Sequence, residues 1–297
     1  MKKTERQKSF ESADLRGKTV VFTGGTDGLG KEAVKKMAKM GATIMLLGRN
    51  ESKTKAVVSE LNAISKKELT HYIHCDLASQ QSVRKAAGLI IDKCKQIHFL
   101  INCAGANVGS RQVSKEGFEM NWTINHLSPF LLTNLLLDRI KETPKSKIIN
   151  LSSATTGWIK MNYDDLQLTK KWSLLQSYAQ AKLAMIMCTR KLAKELEGTG
   201  ITINALNPGF IKSNLLRDGK GLDRIIGVPY MFLFAEKTEN GGDRILRLAL
   251  SDEFENVSGK FIDEDHIKNP NPEALDNELV ERIWNTSRQH IGINKLN

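Results

Sequence analysis

Thr23-Gly24-Gly25-Thr26-Asp27-Gly28-Leu29-Gly30 follows a short β-branched run, Lys18 to Thr23, and leads into the helical stretch Leu29 to Met40. Glycines at 24, 28 and 30 let a backbone turn tightly and approach a pyrophosphate, whose charge a helix N-terminus favours. A bare strand–helix corner also takes glycine. Here the strand before and the helix after supply the context that a dinucleotide turn requires. Thr23, Gly24, Gly28, Leu29 and Gly30 are the first candidate cofactor contacts.

Outward from this turn, strand and helix alternate. Gly41 stops the first helix, and Thr43 to Leu47 reads as a second strand. A polar helix, Ser52 to Ser65, leads to strand Thr70 to Cys75, and Ser79 or Ser82 caps a helix running to about Cys94. His98 to Asn102, Lys147 to Leu151 and Ile201 to Leu206 are further strands, and Lys260 to Ile262 adds a seventh. Helices Phe118 to Ile140 and Ser177 to Glu197 lie between them. Short apolar strands separated by helices predict an α/β fold: a doubly wound, mostly parallel Rossmann sheet with helices on both faces. The reading is one domain over 17–297, after a basic extension 1–16, with a lid at 210–240 and a C-terminal helix at 272–287.

The chain has 297 residues, 40% hydrophobic and 26% charged, with 22 glycines and 6 prolines. That composition excludes collagen-like and low-complexity chains and suits a soluble globular body. Lys+Arg 44 against Asp+Glu 33 gives a net charge of +11. Such an excess favours phosphate-bearing partners. No recognition helix or stacking-aromatic pattern accompanies it, so nucleic acid is not expected. Cys75, Cys94, Cys103 and Cys188 have no CxxC spacing and read as reduced intracellular thiols. His71, His74 and Cys75 share a strand that splits them between two faces, so no metal is expected. No stretch has signal-peptide or membrane-spanning character, which reads as cytoplasmic, with peripheral membrane contact left open.

The second strand ends Leu46-Leu47-Gly48-Arg49-Asn50. An acid at its end would take the ribose hydroxyls of NAD; Arg49 instead suits a 2′-phosphate and favours NADP(H) over NAD(H). Glu51 falls later, in the helix start. Asp76 after the third strand is either an acceptor for the adenine amino group or a helix cap. In Asn102-Cys103-Ala104-Gly105 the small residues let backbone pass close to a cofactor ribose.

Tyr178-Ala-Gln-Ala-Lys182 sets a phenol and an ammonium four residues apart, neighbours on one helix face. A free phenol titrates near pH 10 (roughly), and a nearby cation lowers that value toward a working acid/base.

With these residues in this order, the chain resembles the short-chain dehydrogenase/reductase family over about residues 17 to 290. The matching features are Thr23-Gly-x-x-x-Gly28-x-Gly30, Asn102-x-Ala104-Gly105, Tyr178-x-x-x-Lys182 and Asn207-Pro208-Gly209. It is most similar to the retinol dehydrogenase-like branch, through Glu116 to Leu137 and the tail Gly259-Lys-Phe, Pro272-Glu-Ala-Leu-Asp and Arg282-Ile-Trp284. The resemblance implies that Tyr178 exchanges the proton on the substrate oxygen and that Lys182 lowers its pKa and holds the nicotinamide ribose. It implies that Ser153, with Ser152 the alternative, steadies the carbonyl, and that Asn125 binds a water continuing the proton path. Asn207, Pro208 and Gly209 would line the nicotinamide face, with Ser213 near its carboxamide. The two helices before and at Tyr178 form an oligomer interface in many relatives, so a homo-oligomer is left open.

Twenty-four residues separate Ser153 from Tyr178, an insert shared by retinol dehydrogenase-like members, and it holds Trp158, Tyr163 and Trp172. These aromatics read either as a substrate-pocket wall or as loop packing. After Gly209 come Phe210, Ile211, Leu215, Leu216 and the apolar run Ile225 to Ala235. Such a lid suits a lipophilic alcohol or carbonyl compound, retinoid-, steroid- or aldehyde-like, or a membrane surface met by Lys212, Arg217, Lys220 and Arg224. The expected function is NADP(H)-dependent hydride transfer to or from that small molecule. The alternative is a dinucleotide-sensing or scaffold protein of low turnover.

Overall fold

A computed structural model describes residues 10–212 and 235–293; Ser213 and most of the expected lid lie outside the described residues. β1 (Thr19–Thr23) organises the layers by its alternation, since Val20 and Phe22 join one buried cluster and Val21 the other. It is followed by α1 (Gly28–Lys39), β2 (Thr43–Gly48), α2 (Glu51–Ser65), β3 (Thr70–His74), α3 (Gln80–Lys93) and β4 (Phe99–Asn102). The second half supplies α4 (Ser128–Lys141), β5 (Lys147–Leu151), α5 (Leu174–Glu195) and β6 (Thr202–Asn207). It ends with α6 (Thr238–Leu250), β7 (Phe261–Asp263), β8 (His266–Lys268) and α7 (Asn277–His290).

The strands form one sheet in the order β3-β2-β1-β4-β5-β6-β7-β8, parallel throughout except for β8. The chain runs outward from β1 to β3, then returns to set β4 on β1's other side. That reversal opens a crevice at the carboxyl edge between β1 and β4. One core cluster contains Trp122, Leu131, Leu136 and Trp284; the other contains Val34, Met37, Leu61 and Phe254. Phe10 and Leu15, inside the stretch read as an extension, are buried in the second cluster.

Side-chain caps place the helices. Asp27, Asn50, Ser79 and Ser173 each accept a backbone N–H at the start of α1, α2, α3 and α5. Ser79 thus caps α3, whereas Ser82 accepts from Asp76 N at 2.9 Å.

Three features differ from the sequence expectation. The helix expected from Phe118 begins at Met120, after Glu119 caps it, and is interrupted by a π-turn at Thr123–Leu127 before α4. Its apolar spacing is nearly unbroken, so one inserted residue left no mark. The seventh strand is present, but β8 folds back on it; its residues are exposed and carry no apolar run. Finally, α6 starts inside the stretch assigned to the lid. α7 lies against α5, and Trp284 meets the Phe130 ring edge-on at 5.1 Å.

Candidate active site

The glycine turn leaves β1 against the turn after β4. A Cβ on Gly24 would stand 2.7 Å from the Ala104 backbone, so a side chain there would push the two turns apart. Thr23 Oγ1 accepts from Ala104 N at 3.1 Å and locks the same pair. At Gly28, φ is +52°, and among the described residues a Cβ would meet only Thr238 Cγ2, at 4.0 Å. A bare backbone cradle opening on a helix N-terminus fits a dinucleotide pyrophosphate.

At the adenosine end, Arg49 is exposed beyond β2 and unpaired among the described residues. Neighbouring acids are engaged: Glu51 with Lys55 at 2.7 Å, and Asp27 with Lys53 at 2.8 Å. Asp76 Oδ1 accepts from Ala78 N at 3.1 Å, a local turn bond, and the helix cap is Ser79 instead. The Asn102 side chain is buried away from the cradle. It donates to Asn150 Oδ1 at 2.8 Å and Thr133 Oγ1 at 3.1 Å, fastening β4 to β5 and α4.

Asn125 and Lys182 meet at Gly105, and Tyr178, hydrogen-bonded by Ser153, lies beside Lys182. A Cβ on Gly105 would lie 3.1 Å from Asn125 Oδ1, a tight contact, and 3.6 Å from Lys182 Nζ, an ordinary one. Lys182 Nζ donates to the Leu151 carbonyl at 2.6 Å and lies 5.9 Å from the Tyr178 ring centroid. Ser153 is close enough for its hydroxyl to draw the Tyr178 pKa down by a hydrogen bond, but burial dominates and pushes it up to about 12. Burial pushes Lys182 down to about 8. The downward pull on the phenol comes from Ser153 rather than from the expected ammonium, and desolvation outweighs it. Ser152 Oγ donates to the Lys182 carbonyl at 3.3 Å and is buried, whereas Ser153 accepts from Thr155 Oγ1 at 3.0 Å beside the phenol.

Asn125 sits within the π-turn. Its amide donates to the carbonyls of Ala106 at 2.8 Å and Asn121 at 3.0 Å, and its Oδ1 accepts from Ala106 N at 3.1 Å. The side chain expected to hold a water clamps the Gly105–Ala106 backbone from both sides. π-Turns recur at functional sites because the extra residue re-aims a side chain.

Two of the insert's three aromatics are anchors. Trp172 Nε1 donates to the buried Glu119 carboxylate at 3.1 Å, and Tyr163 lies beneath the Arg282 guanidinium, 5.4 Å away. Trp158 is 70% exposed. At the other end of the crevice, the expected Asn207-Pro208-Gly209 follows β6. It is held by two groups the sequence reading passed over, Arg244 on α6 and Glu264 in the β7–β8 turn. The available signal was a pair of arginines, 244 and 247, set three apart on a face with Ile245 and Leu248.

The family model for short chain dehydrogenase matches residues 18–220. The chain is 36% identical to human retinol dehydrogenase 13 over 289 residues, covering 95% of this chain and 86% of the relative. It is 30% identical to human polyprenol dehydrogenase over 282 residues, 93% of this chain and 86% of the relative. Among solved structures it resembles an uncharacterized protein from Mycobacterium paratuberculosis, with TM-score 0.76, 25% identity and coverage of 96% and 97% of the two chains. A blue fluorescent protein from a metagenomic library, in complex with NADPH, matches with TM-score 0.66, 25% identity and coverage of 85% and 98%. The glycine cradle, the Tyr178–Lys182 pair and these likenesses agree. The chain belongs to the short-chain dehydrogenase/reductase family, in its retinol dehydrogenase-like branch, and is a dinucleotide-dependent oxidoreductase of alcohol or carbonyl groups.

Proposed function

We propose that this chain is an NADP(H)-dependent reductase of lipophilic carbonyl compounds, running also as an alcohol dehydrogenase when the cofactor is oxidised. The observation that carries the reading is the grouping of Ser153, hydrogen-bonded to Tyr178, with Lys182 Nζ 5.9 Å from the Tyr178 ring. The bound nicotinamide supplies or accepts the hydride. Tyr178, a neutral phenol at pH 7 because burial keeps it protonated, gives its proton to the substrate oxygen as charge grows there. The Ser153 hydroxyl donates to the same oxygen and lowers the barrier electrostatically. Lys182, fixed on the Leu151 carbonyl, stands ready for the ribose hydroxyls and offers positive charge to the phenolate that remains. Asn125 keeps Gly105 and Ala106 in place behind the ribose.

NADP(H) preference is supported by charge at the adenosine end. Glu51 and Asp27 are each paired with a lysine, so neither carboxylate is free to select ribose hydroxyls, and Arg49 stands unpaired among the described residues. A lipophilic substrate is supported by exposed Trp158, Leu175 and Phe210. They lie on segments leading from Ser153, into Tyr178 and out of Gly209. The alcohols in the relatives' names, retinol and polyprenol, are likewise apolar. The test is a titration with NADPH and separately NADH, read by energy transfer from the four tryptophans to the reduced nicotinamide. Tighter NADPH binding is expected; a preference for NADH contradicts the role of Arg49, and binding of neither contradicts the reading itself.

A further inference from the structure

Arg244 is a deeply buried cation outside the catalytic group, 3% exposed, and the mechanism above does not use it. Its Nη1 donates to the Pro208 carbonyl at 2.7 Å. Its Nη2 reaches Glu236 at 2.9 Å and Glu264 at 2.8 Å, and Nε lies 3.6 Å from Asp265. One planar guanidinium thus joins three parts of the chain: the turn after β6, Glu236 just ahead of α6, and the β7–β8 turn. Burying a charge so deeply is costly unless it is paired, and here it is paired in several directions.

Gly209 makes the closeness explicit. Its φ is +86°, and a Cβ there would fall 2.5 Å from Arg244 Nη1 and 3.1 Å from Glu264 Oε1. The rest of the turn is tied to the same hairpin. Asn207 Nδ2 donates to Asp263 Oδ1 at 2.6 Å, and Glu264 N donates to the Asn207 carbonyl at 2.9 Å. An isolated bridge also pairs Ile211 with Glu236, so both roots of the intervening segment stand side by side.

The helix carrying Arg244 is itself fixed to the glycine-turn helix. A Cβ on Gly241 would come 2.9 Å from Leu29 Cβ, and one on Gly242 would come 3.0 Å from Glu32 Cβ. Asp243 pairs with Lys36 of α1. α6 therefore bridges the two ends of the crevice, from the pyrophosphate turn at Leu29 to the nicotinamide-facing turn at Pro208.

We propose that Arg244 is a positioning residue for the nicotinamide end of the site, holding Pro208 and Gly209 at a fixed distance from the glycine turn. The proposal rests on the cofactor reading above. Arg244 acts through the Pro208 carbonyl. Lysine cannot replace it, because a single ammonium does not span the Pro208 carbonyl and two carboxylates as a planar fork does.

The test compares Arg244→Lys with Arg247→Lys. Arg247 is equally buried but bonds the Asp265 carbonyl and Glu253 and does not reach Pro208. Two ligands are titrated: NADPH, which spans the crevice, and adenosine 2′,5′-bisphosphate, which carries only the far half. Arg244→Lys is expected to weaken NADPH at least ten-fold while the half-ligand stays within two-fold, and to lower kcat with it. Arg247→Lys is expected to lower the melting temperature without separating the two ligands. Unchanged NADPH affinity in Arg244→Lys overturns the proposal, as does equal loss of both ligands or the same split in Arg247→Lys. If the wild type prefers NADH, the NADH and ADP pair makes the same comparison, so Arg244 is tested whichever cofactor is used. A wild type that binds neither cofactor overturns the proposal together with the reading beneath it.

Discussion

Lys182 Nζ donates to the Leu151 carbonyl at 2.6 Å, joining the helix of the catalytic tyrosine candidate to the carboxyl end of the strand that precedes Ser153. The bond fixes the ammonium, yet the side chain is only 2% exposed, and burial lowers its pKa to about 8. Position is gained here at the expense of stability.

Replacing Lys182 by Met should therefore stabilise the fold while abolishing turnover. The unfolded chain keeps the lysine proton up to about 10.5, whereas the fold releases it near 8. At pH 7 the mismatch costs about 3 kcal/mol. Losing a charge-assisted hydrogen bond returns about 1.5 kcal/mol of that. Denaturant melts of Lys182→Met should show a gain of about 1–2 kcal/mol at pH 7 relative to wild type. Because the unfolded state binds more protons between 8 and 10.5, wild-type stability rises with pH there and the gap closes. A variant less stable than wild type at pH 7 contradicts the sign.

The same group sets an alkaline limit on cofactor binding. NADPH affinity of the wild type should fall as pH rises through about 8, where the Lys182 ammonium is lost. Tyr178 does not contribute to that limb, since it stays protonated to about 12. Titrations between pH 6.5 and 9.5 check this, and Lys182→Met should lack the limb.

Arg49→Ala separates the two cofactors. Loss of a guanidinium–phosphate contact should weaken NADPH by about ten- to a hundredfold and leave NADH within two-fold. Equal loss of both would assign Arg49 a structural role.

His126, on the π-turn beside Asn125, bonds Ser287 Oγ at 2.7 Å and is fully buried, which depresses its pKa to about 3. A depressed histidine contributes stability that is complete above its unfolded pKa near 6.5 and is lost as pH falls toward 3. Thermal melts from pH 7.5 to 4.5 should show a steep acid decline, flattened in His126→Leu over the range below 6.5. Parallel profiles would assign the decline to other groups.

What could be read from the sequence follows from the range of the forces involved. The turn at Gly24 to Gly30, the parallel strands and the Tyr178–Lys182 pair depend on local period and spacing, and the fold bears out that alternation. The direction of the Tyr178 shift was not legible, because desolvation is set by everything packed around α5 rather than by the lysine four residues on. Asn102 and Asn125 sit where the motifs put them, but their amides hold backbone and neighbouring strands. Apart from the Asn121 carbonyl, four residues back, those partners lie 19 to 48 residues away. Arg244 shows the limit most plainly: nothing within the sequence of α6 points to Pro208, 36 residues earlier, and tertiary packing brings them together.

The central claim is that Tyr178 delivers the proton while hydride passes between nicotinamide and a carbonyl carbon. The most direct test is mass spectrometry of the alcohol formed from a long-chain aldehyde with NADPH deuterated at the transferable position of nicotinamide C4, for wild type and Tyr178→Phe. The account predicts one deuterium on the carbinol carbon with wild type. With Tyr178→Phe it predicts a loss of at least about a hundredfold in rate at unchanged NADPH affinity. Wild type that forms no deuterated alcohol while binding NADPH, or Tyr178→Phe that turns over as fast as wild type, would contradict it.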